Sequence, residues 1–248
     1  AEAKIAELDN LFDSGKGKEA LAGLEELEKT DPNNVEVLWR LSRAIFEVGT
    51  QAEGQADFQK ASYARAFAVA EKAIAANKDH FGGYKWAGIS LGYLGDHIST
   101  TEKIGNSFKI KGFFDTANKL APTDPTILHA LGKWCFTIAS IGFLERTAAS
   151  TLFATPPESS YQEALNYFIN ADKTIEADKE NLTRWAGIRF SNQLLLGQTY
   201  EAMGDKAKAK EWYQKLIALE IVGAGSVTQK QAQAKAKEQL ASLESSWW

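Results

Sequence analysis

Residues 8–32 read LDNLFDSGKGKEALAGLEELEKTDP. Leu8 and Leu11 lead to Gly15, then Ala20, Leu24 and Leu27 follow, and Pro32 closes the stretch. Apolar residues three and four apart on both sides of Ser14-Gly15 describe two amphipathic helices joined by a tight turn. The proline ends the second helix. A hairpin this small cannot bury both apolar faces alone, so it requires neighbours of the same kind.

The neighbours are present. A second register reads Leu38, Leu41, Ser42, Ile45, Gly49, then Ala66, Ala70, Ala73. A third reads Tyr84, Ala87, Gly88, Leu91, Gly95, then Ile110, Phe114, Ala117, Pro122. A fourth reads Leu128, Leu131, Gly132, Cys135, then Ala164, Phe168, Ala171, and a fifth Leu196, Gly197, Tyr200, Gly204, Ala209, Tyr213, Leu216. Small residues at position 8, glycine at 15 and small or aromatic residues at 20, 24 and 27 are the pattern of a tetratricopeptide repeat, whose period is about 34 residues. The expected fold is all-α: a tetratricopeptide-repeat-like α-solenoid in one domain over 1–248. Its repeats fall at about 1–34, 35–80, 81–124, 125–178 and 190–223. Gly223 and Gly225 then turn the chain into a last amphipathic helix over 227–244, with Ala232, Ala236, Leu240 and Leu243 on one side, as a C-terminal cap.

Three repeats are stretched between their helices, at Gly49 to Ala66, Gly95 to Ile110 and Ala139 to Ala164. The period of Ile104, Phe108, Ile110, Phe114 and Ala117 predicts a lengthened second helix over 98–118. Phe143, Leu144, Ala148, Leu152 and Phe153 predict a continued first helix over 143–153, broken at Pro156-Pro157, with Ser159 or Ser160 capping the next. The stretch 179–189 is a further insertion. Trp247 and Trp248 receive no role.

The chain has 248 residues and a formal net charge of −4, which argues against general nucleic-acid binding. Residues 1–36 are strongly acidic, whereas Lys85 to Arg146 carries more base than acid. The single Cys135 excludes an internal disulfide, and its place in the repeat predicts a packed thiol. No apolar run is long enough to span a membrane and no signal peptide is legible. His80, His97 and His129 are scattered, with no metal-ligand spacing, and read as surface or groove residues. Phosphate loops and nucleophile elbows are absent, so neither a cofactor nor an enzyme activity is expected.

The candidate site is therefore a recognition surface. In such an array the first helix of each repeat lines the inner groove. Positions 5, 9 and 12 or 13 give Trp39, Arg43 and Phe46, then Lys85, Ile89 and Tyr93, then His129, Lys133 and Phe136. Each helix offers a potential cation for a carboxylate or phosphate and an aromatic for an apolar stem. A second group, Lys103, Lys109, Lys111 and Arg146, falls in the insertions and reads either as solvated charge or as a basic edge for an acidic polymer or membrane surface.

Several segments exceed a plain repeat pattern. They include Leu38-Trp39-Arg40-Leu41-Ser42-Arg43-Ala44, Lys85-Trp86-Ala87-Gly88-Ile89-Ser90 and Asn106-Ser107-Phe108-Lys109-Ile110-Lys111. Ala121-Pro122-Thr123-Asp124-Pro125, His129-Ala130-Leu131-Gly132-Lys133-Trp134-Cys135-Phe136 and Ser140-Ile141-Gly142-Phe143-Leu144-Glu145-Arg146 join them. Over roughly residues 35–220 they resemble the regulator of microtubule dynamics family, which includes a tether at contacts between endoplasmic reticulum and mitochondria. The resemblance implies a non-enzymatic helical module with tubulin or microtubules as partner, located at the cytoskeleton or spindle. It also implies, as alternatives, a phospholipid-binding or transfer module at organelle contacts, on the mitochondrial surface where a membrane anchor precedes it. An adaptor for an acidic peptide is the remaining alternative. In the lipid reading Arg43, Lys85 and Lys133 would hold a phosphate head group.

Overall fold

The computed structural model describes residues 2–142, 146–147, 150–151, 157–223 and 225–245. All regular structure among them is helical, as the repeat pattern requires. Contacts within the chain gather into two compact units, one reaching Pro122 and the other starting at Thr123. The first holds α1 (Glu2–Asp13), α2 (Gly17–Thr30), α3 (Val35–Thr50), α4 (Ala56–Ala76), α5 (Phe81–Leu94) and α6 (Thr100–Leu120). The second holds α7 (Pro125–Ala139), α8 (Tyr161–Ala177), α9 (Ala186–Ala202), α10 (Lys206–Ile217) and α11 (Ser226–Ser245). Within each unit a helix packs on the next in sequence, and the first helices of successive hairpins pack on one another, the contact pattern of stacked hairpins.

The turns form where the sequence asks for them. Gly15 and Gly204 take φ of 81° and 84°, a left-handed conformation that side chains disfavour. Helix starts are marked by side chains that accept the free backbone N–H groups. Asn34 caps α3 and Asp124 caps α7, whose first residue is Pro125. Ser99 with Glu102 and Ser160 with Glu163 form reciprocal capping boxes at α6 and α8.

Position 8 works as a notch for a ring. A Cβ on Gly132 would lie 2.6 Å from Cδ1 of Phe168, and one on Gly197 would lie 2.6 Å from Cδ1 of Tyr213. Gly88 receives Phe114 in the same way. Ser42 replaces glycine in the second repeat, and its hydroxyl donates to the Ala66 carbonyl at 2.7 Å. The first repeat inverts the arrangement: Leu8 is on the first helix and its side chain seats against Gly23 of the second.

Two insertions become helix. α4 and α6 each run 21 residues, against 14 for α2. In the third, α7 ends at Ala139 with Ser140 as its C-cap. Residues 143–145, 148–149 and 152–153 of the expected continuation lie outside the described residues, as do Trp247 and Trp248. The stretch 179–189 gives a single 3-10 turn, Lys179–Asn181, a short loop, and the first turn of α9. Trp185 pins that loop by donating to Asp178 at 2.7 Å.

The cap is tied down by side-chain amides as well as by its buried Ala232, Ala236 and Leu243. Gln229 bonds both the N–H and the carbonyl of Val222, at 2.9 and 2.7 Å. Gln233 donates to Leu219 O at 2.8 Å and reaches the Leu216 and Ile217 carbonyls, satisfying the open end of α10. Cys135 is 3 % exposed within α7, a packed thiol.

Candidate functional site

On α3, Trp39, Arg43 and Phe46 fall at helical spacing on one face, and Lys85, Ile89 and Tyr93 do the same on α5. The first unit brings these two rows together beside α1. Its centre is aromatic. Phe46 meets Tyr63, Trp86 and Tyr93 with ring centroids 5.4, 5.6 and 4.9 Å apart, and the Tyr93 contact is edge-on. Tyr63 in turn meets Tyr93 and His97. The rings expected to wall a groove thus fill the space with one another. Trp39 is stacked near His80 and lies against Gly82, where a Cβ would come within 2.7 Å of its ring.

The cations around this cluster are turned inward. Arg43 is buried and donates from Nη2 to Asp9 Oδ1 at 2.7 Å, with its guanidinium 3.9 Å above the Phe12 ring and 5.2 Å from that of Trp39. Burial pulls its pKa down, opposed by the carboxylates of Asp9 and Asp13. Arg40 bonds both Asp9 oxygens through Nε, at 3.0 and 2.9 Å, and reaches Glu36 through Nη1. His80 accepts the Gly82 N–H at Nδ1, so its Nε2–H faces Glu36, 3.0 Å away. Lys85 is also buried, its ammonium 4.9 Å above Phe81 and 5.8 Å from Trp39. Glu47 is shifted upward by burial, against a hydrogen bond from Gln51.

His129, Lys133 and Phe136 belong to the second unit. Lys133 is exposed and Phe136 is half-buried, its ring 5.5 Å from Tyr161. His129 differs from the surface or groove residue expected: it is 7 % exposed and bridges three helices. Asn192 of α9 donates to the Phe168 carbonyl of α8 at 2.8 Å, which leaves its oxygen to accept from His129 Nδ1 at 3.1 Å. Burial, aided by Lys133 and opposed by the Asn192 bond, brings the imidazole pKa down to about 4. His129 is therefore a neutral core residue at pH 7.

The lysines grouped by sequence proximity do not share a face. Two residues along a helix turn through about 200°, so Lys109 and Lys111 point nearly opposite ways. Lys109 reaches back to α4, 3.8 Å from Glu71 and 4.9 Å above Phe67. Lys103 contacts Asp96 at 3.1 Å, and Lys111 pairs with Asp115 on its own helix at 2.6 Å. Arg146 donates to the carbonyls of Ile138 and Ile141, at 2.9 and 3.2 Å, and so closes the end of α7.

The residues that sequence reading missed are Asp9, Phe12, Glu36, Tyr63 and Asn192. A signal for Asp9 existed. It precedes Arg43 by 34 residues, one repeat period, and equivalent positions of adjacent repeats stack.

A family model described as "Regulator of microtubule dynamics protein 1-3" matches residues 4–244. The regulator of microtubule dynamics protein 1 of Pongo abelii is 33 % identical over 219 residues, 87 % of this chain and 66 % of the relative. That of Mus musculus is 31 % identical over 239 residues, 96 % of this chain and 73 % of the relative. Regulator of microtubule dynamics protein 3 of Xenopus laevis is 30 % identical over 177 residues, 71 % of this chain and 36 % of the relative. The chain spans about two thirds of the length of the first of these. Among solved structures, the tetratricopeptide protein TTC0263 of Thermus thermophilus aligns over 98 % of this chain and 97 % of its own, with a TM-score of 0.59 at 16 % identity, a likeness of fold alone. With the repeat register, the lengthened α4 and α6 and the match over 4–244 agreeing, the chain belongs to the regulator of microtubule dynamics family.

Proposed function

We propose that this chain is a binding module that associates with microtubules and regulates their dynamics or their attachment at the spindle. The observation that carries it is the extent of the family match, which takes in both helical units and leaves only short ends outside 4–244. The module itself is what the relatives named for microtubule regulation share. Tubulin surfaces are acidic, and Lys103 and Lys109 on α6 keep about half of their side chains in water, with Glu71 as exposed and Asp96 more so. Such pairs hold weakly and yield to a competing anion. The phospholipid reading has less support, since Arg43 already faces Asp9 and the rings of α3 and α5 pack together.

Co-sedimentation with polymerised tubulin tests the reading. The wild-type chain should pellet with microtubules, and combined Lys103→Glu, Lys109→Glu and Lys111→Glu should weaken binding about fivefold, the sum of the two exposed contacts of Lys103 and Lys109 at roughly 0.5 kcal/mol each. Raised salt should mimic the variant as the Debye length falls below about 8 Å. Full binding by the triple variant would remove α6 from the contact. A wild-type chain captured by anionic liposomes and ignored by microtubules would replace the proposal with the lipid reading.

A further inference from the structure

The acidity of the first 36 residues has a structural counterpart in the first unit. Hairpin α1–α2 fully buries few residues, Ile5 and Leu8 from α1, Ala20 and Leu24 from α2, with Leu11, Phe12, Leu21 and Leu27 half-buried against the same core. The neighbouring α3 buries ten of its sixteen residues. What the hairpin lacks in apolar contact it makes up in charge. Asp9 pairs with Arg40 and Arg43 on α3, and Glu25 and Glu28 reach Arg65 and Lys72 on α4, at 2.7 and 3.1 Å. All four pairs run in one sense, acid on the hairpin and base on the helices beneath. Phe12 adds its ring face to the same guanidinium that Asp9 holds.

Two features let the hairpin move as a piece. It closes on itself, since Leu8 seats against Gly23. And α3 starts without help from α2, because Asn34 supplies the cap to the Glu36 and Val37 N–H groups at 3.0 and 3.3 Å.

We propose that α1–α2 is a charge-held latch over a row of cations, Arg40, Arg43, Arg65 and Lys72, and that an acidic polypeptide segment competes with the hairpin for that row. Asp9, Glu25 and Glu28 stand in for the carboxylates of such a partner, and opening the hairpin exposes two arginines flanked by Trp39. The row lies on α3 and α4, so the proposal is independent of the α6 lysines and of microtubule binding.

Native-state hydrogen exchange on the full chain tests it, resolved by peptide. In the wild type, amides of α1–α2 should exchange faster than those of α3–α5, through a separate opening. Asp9→Asn leaves Arg43 buried beside a neutral amide. It should speed exchange in α1–α2 by about a hundredfold, the lower part of the range for breaking a buried pair, with α4 and α5 unchanged. Glu25→Arg should speed it a few-fold, and adding Arg65→Glu should restore the wild-type rate. Poly-L-glutamate should accelerate α1–α2 selectively, and polyethylene glycol should not. Uniform acceleration across the first unit in both single variants would show one cooperative body and overturn the latch. No response to poly-L-glutamate at low salt would overturn the competition.

Discussion

The two units solve the same problem by different chemistry. Each stacks helices closely enough to take polar groups out of water. In the first, buried charge meets opposite charge: Arg43 and Arg40 converge on Asp9, and Arg40 also reaches the half-exposed Glu36. In the second, the contact that ties three helices together is neutral, running from His129 through Asn192 to the Phe168 carbonyl. The one buried carboxylate among that unit's described residues, Asp172, takes a Gln193 amide as well as Lys215. Charge pairing is long-ranged and tolerates sliding of one helix on the next. An amide bridge is short and directional, and fixes three helices in one register. The first unit is thus built to loosen at its edge and the second to hold its centre.

The sharpest way to break this contrast is at Asn192. Asn192→Leu leaves the buried His129 N–H without a partner and removes the second bond to the Phe168 carbonyl, which keeps its own helix bond. It should cost about 2–4 kcal/mol, roughly 1–3 for the stranded N–H and about 1 for the lost carbonyl bond. Denaturant unfolding would measure it, and a loss under 1 kcal/mol would mean that the bridge is not what locks the second unit.

The pH response sharpens it further. His129 titrates at about 4 when folded and near 6.5 when unfolded. Between those values the unfolded chain binds the extra proton. The contribution is therefore complete above pH 6.5, drains as pH falls toward 4, and amounts to about 3 kcal/mol for 2.5 units. His129→Gln should flatten that part of the stability profile. A variant with the wild-type profile would place the acid sensitivity elsewhere.

The smallest effect probes what the units share. Gly88→Leu and Gly132→Leu drive a side chain into Phe114 and Phe168, one in each unit. Each should cost about 1–3 kcal/mol by overpacking, with similar drops in thermal midpoint when the units are followed separately. A strong effect in one and none in the other would show that the ring-in-notch contact is not common to both.

The sequence alone determined the local elements and their order. Apolar spacing, the turn at Gly15, the caps at Ser160 and the lengthened helix over Phe108 and Phe114 all depend on residues close in the chain, and all are found. The burial of Cys135 followed from its register. Even the separation of Lys109 from Lys111 was legible, since their spacing turns through about 200°. Tertiary structure alone decided which groove residues remain available as ligands' partners. Arg43 faces Asp9 34 residues away, and His129 meets Asn192 63 residues away. The physical reason is that a side chain's exposure and charge partner are set by what the neighbouring helices place against it. Periodicity within one helix names the face, and only the stacked helices determine whether that face meets water, a carboxylate or a ring.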